Sequence, residues 1–209
     1  LGIAHCQIII LEALLKLRQV CCDPRLLRGS AYKKSTNASA KLAELMEMLQ
    51  ELLLEKRHIL VFSQFTSMLG LIEAELNTRN IPYALLTGDT TDRASAIRSF
   101  QEGQVSVFLI SLKAGGVGLN LTAADTVIHY DPWWNPAVEN QATDRAWRIG
   151  QDKPVFVYKL IARGTLEEKI QDLQQRKAEL AGAMLSTGQA QNVQITPEDL
   201  QSIFRPLAE

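Results

Sequence analysis

The sequence is short of several residue types that characterise whole classes of protein. Its 209 residues include three cysteines, Cys6, Cys21 and Cys22, with no CxxC spacing, so we expect reduced thiols rather than disulfides or a metal site. Aromatic residues make up only 6% of the chain, which disfavours a β-sandwich built on aromatic pairs. Lys and Arg total 22 against 23 Asp and Glu. This balance excludes a uniformly basic nucleic-acid-binding chain but leaves room for a local basic strip.

Two further absences concern membranes and nucleotides. No apolar run approaches the roughly 18 to 20 residues that a membrane-spanning helix needs, and the apolar stretch at 8–11 lacks the basic region of a signal peptide. No glycine is followed by lysine, so the chain has no Walker A loop with which to hold a triphosphate by itself. The chain also begins at Leu1 without an initiator methionine, and we interpret it as a piece of a longer protein.

Short apolar strands that alternate with helical segments dominate the middle of the sequence. Continuous apolar character favours strands buried on both faces, as in a parallel sheet covered by helices. The predicted strands are 59–62, 83–86, 105–110, 126–130 and 155–161. The predicted helices are 3–20, a helix capped by Ser39, 68–76, a helix capped by Thr91 and stopped by Gly103, 136–148, and a long helix capped by Thr165. The pattern predicts an α/β fold with a helical N-terminal extension.

Composition divides the chain into three parts. Residues 1–56 are predicted to form the helical extension, with apolar positions of its first helix at Ile8, Leu11, Leu14, Leu15 and Val20 and a polar linker at 28–39. Residues 57–186 are predicted to form the α/β lobe with its long final helix. Residues 187–209 form a polar tail in which one short helix could dock.

A glycine-rich turn follows the third predicted strand. It runs from Ser111 to Thr122 and contains Lys113, Gly116 and Gly118. Glycines let backbone N–H groups approach an anion closely, and ligands of open parallel sheets gather beyond the carboxyl ends of the strands. A dinucleotide fingerprint would need a third glycine where Leu121 stands, which argues against that class.

Two arginines share a face of the helix predicted over 136–148. Gln141, Arg145 and Arg148 are spaced i, i+4 and i+7. Like charges stacked in this way repel each other, and only Asp144 is near to offset them. A polyanion opposite this face would explain the arrangement, because guanidinium groups suit phosphate oxygens. From spacing alone, a helix face that is simply exposed to solvent is an equally good interpretation.

The run from Ser111 to Gln151 resembles motifs V and VI of the Swi/Snf family of double-stranded-DNA translocases, within superfamily two of helicase-like ATPases. The similarity includes AGGVGLNLTAADTVIHYDPWWNP and DRAWRIGQ. Further stretches resemble the motif leading into the second lobe (LRQVCCDP), motif IV (VFSQFT), the DNA-contact loop after it (LTGDTTDR) and the start of a brace helix (GTLEEKI). The resemblance implies a C-terminal RecA-like lobe, a parallel sheet with helices on both faces, ending in that brace helix.

The resemblance also implies roles for individual residues. Arg148 matches the arginine finger that reaches the triphosphate, with Arg145 assisting. Around the nucleotide, the implied residues are Gly116, Gly118, Gln141 and Asp144. Facing a DNA strand, they are Gln64, Thr87, Gly88, Lys113 and Trp134, which would grip phosphates or the groove without reading sequence. His129 and Trp133, in contrast, are expected to be core residues.

The partners follow from the same resemblance. We expect ATP as cofactor, with Mg²⁺ held by the missing N-terminal RecA-like lobe, where the family's Walker A lysine and DExx box lie. Double-stranded DNA and that lobe are the expected partners, with DNA-bound proteins as a further class and no membrane. The absence of a chromatin-reading insertion favours a prokaryotic, nucleoid-associated protein over a nuclear one.

Two alternatives remain beside the motor. One is a non-catalytic nucleic-acid or protein interaction module that keeps the RecA-like fold, which loss of Arg148 or of the glycine turn would favour; both are present. The other is a dinucleotide-dependent enzyme. If the chain is the motor lobe, the isolated fragment is expected to be inactive as an ATPase.

Overall fold

The structure is a computed structural model that describes residues 3–27, 39–115, 119–133, 135–144, 146 and 154–185. Side chains are described for 8–27, 39–114, 119–133, 135–144, 146 and 154–176. In the part so described, no helix is long and apolar enough to cross a membrane.

Helices and strands alternate along the lobe as the apolar pattern predicts. The strands are β1 (Ile59–Ser63), β2 (Tyr83–Leu86), β3 (Val107–Ser111), β4 (Thr126–His129) and β5 (Phe156–Lys159). The helices are α1 (Ile3–Cys22), α2 (Ala40–Leu54), α3 (Thr66–Thr78), α4 (Arg93–Gln101), α5 (Leu112–Gly115), α6 (Pro136–Thr143) and α7 (Leu166–Leu185), with a 3₁₀ turn at Pro24–Leu26. Every predicted strand is present within one or two residues of its predicted ends.

The strands form one five-stranded sheet in the order β2-β3-β1-β4-β5. All four pairings are parallel, and the register sets Ser63 beside Ser111 at the end of β1 and β3. The carboxyl ends of all strands therefore lie at one edge, which is where an open parallel sheet binds its ligands. This confirms the predicted RecA-like α/β fold.

Helices cover both faces of the sheet, which explains why β1 is apolar from Ile59 to Phe62. Ile59 and Val61 pack in one core cluster with Leu45 and Leu49 of α2. Leu60 and Phe62 point to the opposite face and join a second cluster that includes Phe100 of α4. Successive side chains of a strand alternate between faces, so a strand covered on both sides has no polar positions to spare.

Of the three predicted helix caps, one lies at a different residue, one lacks the capping hydrogen bond and one is confirmed. Helix α4 is capped by Asp92, whose Oδ1 accepts from the Ser95 N–H, and not by Thr91. Ser39 stands at the N-cap of α2, yet its hydroxyl donates to the Cys22 carbonyl oxygen instead of capping the helix. Thr165 does accept from the Glu167 N–H at the start of α7, as a capping residue should.

Helix α1 and strand β5 bury less apolar surface than their sequences predict. Along α1, Ile8, Leu11 and Leu15 are exposed, and of the predicted apolar positions only Leu14 is buried. Strand β5 lies at the edge of the sheet, and both Phe156 and Val157 remain more than 40% exposed. Apolar periodicity identifies the elements but does not say which of them pack against a second layer.

Candidate functional site

Loops that leave neighbouring strands bring several predicted site residues to one edge of the sheet. Gln64 follows β1 directly, Thr87 follows β2, and Lys113 lies in the short helix α5 after β3. Gln64 and Lys113 line the same cavity of about 410 Å³, beside Trp133 from the loop after β4. Its remaining walls are apolar and comprise Leu15, Phe65, Leu112 and Val138.

The Lys113 side chain is exposed at the mouth of this cavity. Among the described residues no carboxylate lines the cavity with it, so an anionic group would meet a lysine and an amide there. Such a site can accept phosphate oxygens without distinguishing bases.

A buried carboxylate organises the loop that carries Gln64. Asp131, at the end of β4, accepts from the Ser63 hydroxyl at 2.6 Å and from the Gln64 backbone N–H at 3.2 Å. Burial raises the pKa of Asp131, while the Ser63 hydrogen bond and the nearby Arg18 guanidinium act in the opposite direction. The loops after β1 and β4 are thus joined through one side chain.

Arg18 of α1 reaches the same place, and the sequence analysis missed it. Its side chain is only 5% exposed. One terminal nitrogen donates to Gln64 Oε1 at 2.7 Å and the other to the Pro132 carbonyl oxygen at 2.5 Å. The available signal was position: Arg18 lies seven residues after Leu11 and four after Leu14, on the side of the helix predicted to be apolar.

The loop after β2 forms a second, more open cavity of about 540 Å³. The Thr87 N–H donates to Thr90 Oγ1 at 2.9 Å, and the Thr87 hydroxyl accepts from the Asp89 N–H at 3.3 Å. Gly88 is exposed, and a Cβ built there would meet no atom within 4 Å. The fold itself therefore gives no steric reason for glycine at 88.

Helix α6 carries the predicted nucleotide-side residues and ends earlier than predicted. Its last residue is Thr143, with Asp144 at the C-cap. Gln141 and Asp144 are both exposed. Gly116, Gly118, Trp134, Arg145 and Arg148 lie outside the described residues, and their predicted roles stay predictions.

Buried polar contacts hold α6 against the lobe. Glu139 accepts from the Trp133 backbone N–H at 2.6 Å, pairs with Lys159 of β5 and accepts from Gln174 of α7. Contacts to the loop after β4, to β5 and to α7 therefore fix the position of α6, which carries Gln141 two residues after Glu139.

His129 is a buried residue of β4, as predicted. Its Nε2 pairs with Thr143 Oγ1 at 3.0 Å, and Nδ1 has no hydrogen-bond partner among the described residues. Burial lowers the pKa of His129 to about 4, Glu139 partly opposes this, and Lys159 adds to it. The imidazole is therefore neutral at physiological pH and attaches α6 to the sheet rather than supplying charge.

The sequence is similar to known helicase-like proteins over most of its length. The helicase conserved C-terminal domain matches residues 40–150. A putative ATP-dependent helicase/translocase of Bacillus subtilis, YwqA, is 39% identical over 202 residues, covering 94% of this chain and 22% of the relative. The chromatin-remodeling ATPase INO80 of Aspergillus oryzae is 43% identical over 181 residues, 85% of this chain and 12% of the relative. The chain thus spans less than a quarter of the length of either relative.

Solved structures of the same kind match the fold. The Sulfolobus solfataricus SWI2/SNF2 ATPase core in complex with dsDNA has a TM-score of 0.73 and 36% identity, and the match covers 100% of this chain and 44% of that one. The C-terminal part of the Fun30 ATPase domain has a TM-score of 0.62 and 32% identity over 77% of this chain and 54% of that one.

Proposed function

The chain belongs to the Swi/Snf family of helicase-like ATPases as its C-terminal helicase lobe, and on that premise we propose that it is the second motor lobe of an ATP-dependent double-stranded-DNA translocase. In the intact protein it supplies contacts to a DNA strand from the carboxyl edge of the sheet and an arginine finger to the nucleotide. The observation that carries the proposal is the cavity where Gln64, Lys113 and Trp133 meet.

The DNA role rests on the chemistry of that edge. Lys113 is exposed, Gln64 is an amide, and Thr87 with Gly88 offers hydroxyl and backbone groups on the next loop. Donors of this kind grip phosphate without reading sequence. A solved neighbour of 36% identity is in complex with dsDNA, which supports the same class of partner here.

The nucleotide role rests on Arg148, assisted by Arg145, and on Gln141 and Asp144 of the preceding helix. When the two lobes close, Arg148 would reach the nucleotide held with Mg²⁺ by the first lobe and would stabilise the charge that develops in the transition state. Mg²⁺ would be held by the first lobe, where the resemblance places the Walker A lysine and the DExx box. Gly116 and Gly118 let the backbone approach the nucleotide.

DNA-stimulated ATP hydrolysis by the intact parent protein tests the nucleotide role. Arg148→Ala should reduce turnover by about 10³-fold or more, because a finger arginine contributes about 10³ to 10⁵ in rate. Arg98→Ala is the matched control, since Arg98 is an exposed arginine in the last turn of α4, which leads to the opposite edge of the sheet. Unchanged turnover in Arg148→Ala would favour a non-catalytic module that keeps the fold.

Binding of labelled duplex across a salt series tests the DNA role. Each phosphate that the protein neutralises contributes about −0.9 to the slope of log affinity against log salt. Lys113→Ala should therefore make the slope shallower by about one unit for every duplex sequence alike. Lys56→Ala is a suitable control because Lys56 is exposed in the turn after α2, before β1 begins. A parental slope in Lys113→Ala would remove this lysine from the DNA interface.

The biological setting is a separate proposal. DNA-bound proteins are the candidate substrates, and the relatives include both a bacterial translocase and a fungal chromatin-remodeling ATPase. The compact lobe is compatible with a nucleoid-associated or a nuclear protein.

A further inference from the structure

Arg18 supports one wall of the cavity proposed to receive DNA. Its guanidinium carbon lies 5.1 Å from the centroid of the Trp133 ring and 5.8 Å from that of Phe65. It also donates to Gln64. Three of the residues that line the cavity therefore contact one side chain from α1, a helix that precedes the sheet by more than thirty residues.

The contact with Gln64 determines the direction of its amide. A guanidinium only donates hydrogen bonds, so it accepts the Oε1 end of a glutamine as partner and repels the NH₂ end. Because Gln64 Oε1 lies 2.7 Å from an Arg18 nitrogen, Nε2 is the end of the amide that remains for another partner. Nε2 is buried and has no acceptor among the described residues. Binding of an acceptor to such a donor is favourable, because a buried donor without a partner costs free energy.

We propose that Arg18 is a positioning residue for DNA binding: it engages the Oε1 end of the Gln64 amide, so that the NH₂ group, buried in the free lobe, is the end that turns to a DNA phosphate when a strand occupies the cavity shared with Lys113. This inference rests on the proposed function and adds to it a residue outside the loops that touch the strand. The phosphate oxygen supplies the acceptor that Nε2 lacks, and Lys113 supplies the countercharge.

A purely structural role, as countercharge to Asp131, accounts less well for the geometry. The nearest approach of Arg18 to the Asp131 carboxylate is 4.0 Å, whereas its bonds to Gln64 and Pro132 are much shorter. Asp131 already accepts from the Ser63 hydroxyl and the Gln64 backbone N–H. The two short hydrogen bonds of Arg18 therefore serve the two loops rather than the carboxylate.

Arg18→Lys separates the two roles. Lysine keeps a positive charge beside Asp131 but is a point donor, which cannot reproduce the fork that joins Gln64 to Pro132. In the intact parent protein, the variant should still fold, with a melting temperature a few degrees lower because one of the two buried oxygens loses its donor. The duplex concentration that gives half-maximal ATPase stimulation should rise by about tenfold, the loss of one charge-assisted contact, while turnover at saturating duplex changes less than twofold. Parental half-saturation in Arg18→Lys would overturn the proposal.

A double-mutant cycle tests whether Arg18 acts through Gln64. Arg18→Met and Gln64→Ala should each weaken duplex binding by about tenfold, and the double variant should be within about threefold of the weaker single variant. Independent actions would instead multiply to about a hundredfold, which would overturn the proposal. Gln64→Glu serves where Arg18→Met fails to fold, because a carboxylate still accepts from Arg18 but replaces the NH₂ group. It should melt no lower than the parent and lose duplex affinity; retained affinity would contradict the mechanism.

Failure of this inference and failure of the proposed function give different results. If Lys113→Ala and Gln64→Ala weaken duplex binding while the Arg18 variants do not, only the role of Arg18 is wrong. If neither Lys113→Ala nor Gln64→Ala affects duplex binding, the DNA interface itself lies elsewhere.

Discussion

A buried ion pair between α2 and α7 gives the sharpest prediction about stability. Lys41 and Glu167 have side chains 6% and 1% exposed and pair directly. Lys41 also donates to the Tyr130 carbonyl oxygen at 3.2 Å, and Glu167 accepts from the Ala162 N–H at 2.9 Å. The pair thus connects the helical extension, the end of β4 and the start of the final helix.

Lys41→Met should destabilise the fold strongly. The change keeps the length of the side chain and a good helix former, so the main effect is an uncompensated carboxylate at Glu167. Breaking one side of a buried pair costs about 3 to 5 kcal/mol. For a domain of 150 to 250 residues, each kcal/mol shifts the melting temperature by about 2 to 4 °C. The predicted decrease is therefore about 6 to 20 °C.

Thermal unfolding followed by circular dichroism measures this decrease. Adding Glu167→Gln to Lys41→Met should recover part of the loss, because glutamine removes the buried charge while its oxygen still accepts from Ala162. Lys16→Met is the control, since Lys16 pairs with Glu12 on the surface, with both side chains about 60% exposed, and should not change the melting temperature measurably. A decrease of less than 2 °C in Lys41→Met would show that loss of the partner of Glu167 does not destabilise the fold.

Three further predictions concern pH, capping and nucleotide binding. Because the pKa of His129 is about 4 when folded and 6.5 when unfolded, the unfolded state binds more protons between these values, and stability falls as pH drops through that window. The His129 share of the loss from pH 7 to pH 5 should be about 2 kcal/mol, measured by urea unfolding as the difference from His129→Gln; equal pH dependence in both would contradict it. Asp92→Ala should destabilise the fold by about 1 kcal/mol in the same assay and Thr91→Ala by much less, whereas the reverse order would restore Thr91 as the cap. The isolated chain, without a Walker A loop, should bind ATP only at millimolar concentration or above, roughly −4 kcal/mol or weaker, and micromolar binding by calorimetry would reveal a site not yet identified.

The sheet was predictable from sequence because its strands are buried on both faces. A run such as 59–62 has no polar position, and such a run bounded by polar turns fits few structures other than a central parallel strand. The sequence does not show in the same way which strand lies at the edge of the sheet. Nothing in the β-branched and aromatic content of β5 indicates that Phe156 stays exposed, because exposure depends on which elements pack beside the strand.

The candidate site was predictable only where its residues follow a strand end within a motif. Gln64 and Lys113 were found in this way, and the structure brings them to one cavity. Arg18 and Glu139 act over sequence separations of 46 and 35 residues. Such contacts leave no local pattern beyond a charged residue at an apolar position. The end of α6 at Thr143 was also missed, since the polar periodicity continues past the last helical residue.

Movement of the intact parent protein along duplex DNA is the property that distinguishes a translocase from a module that only binds DNA. Displacement of a third strand from a triplex measures it, with Arg148→Ala as the variant. We expect displacement that requires ATP and is lost in Arg148→Ala, although this variant still binds duplex DNA. ATP hydrolysis without displacement in the parent, or displacement that persists in Arg148→Ala, would contradict a motor whose second lobe completes the nucleotide site.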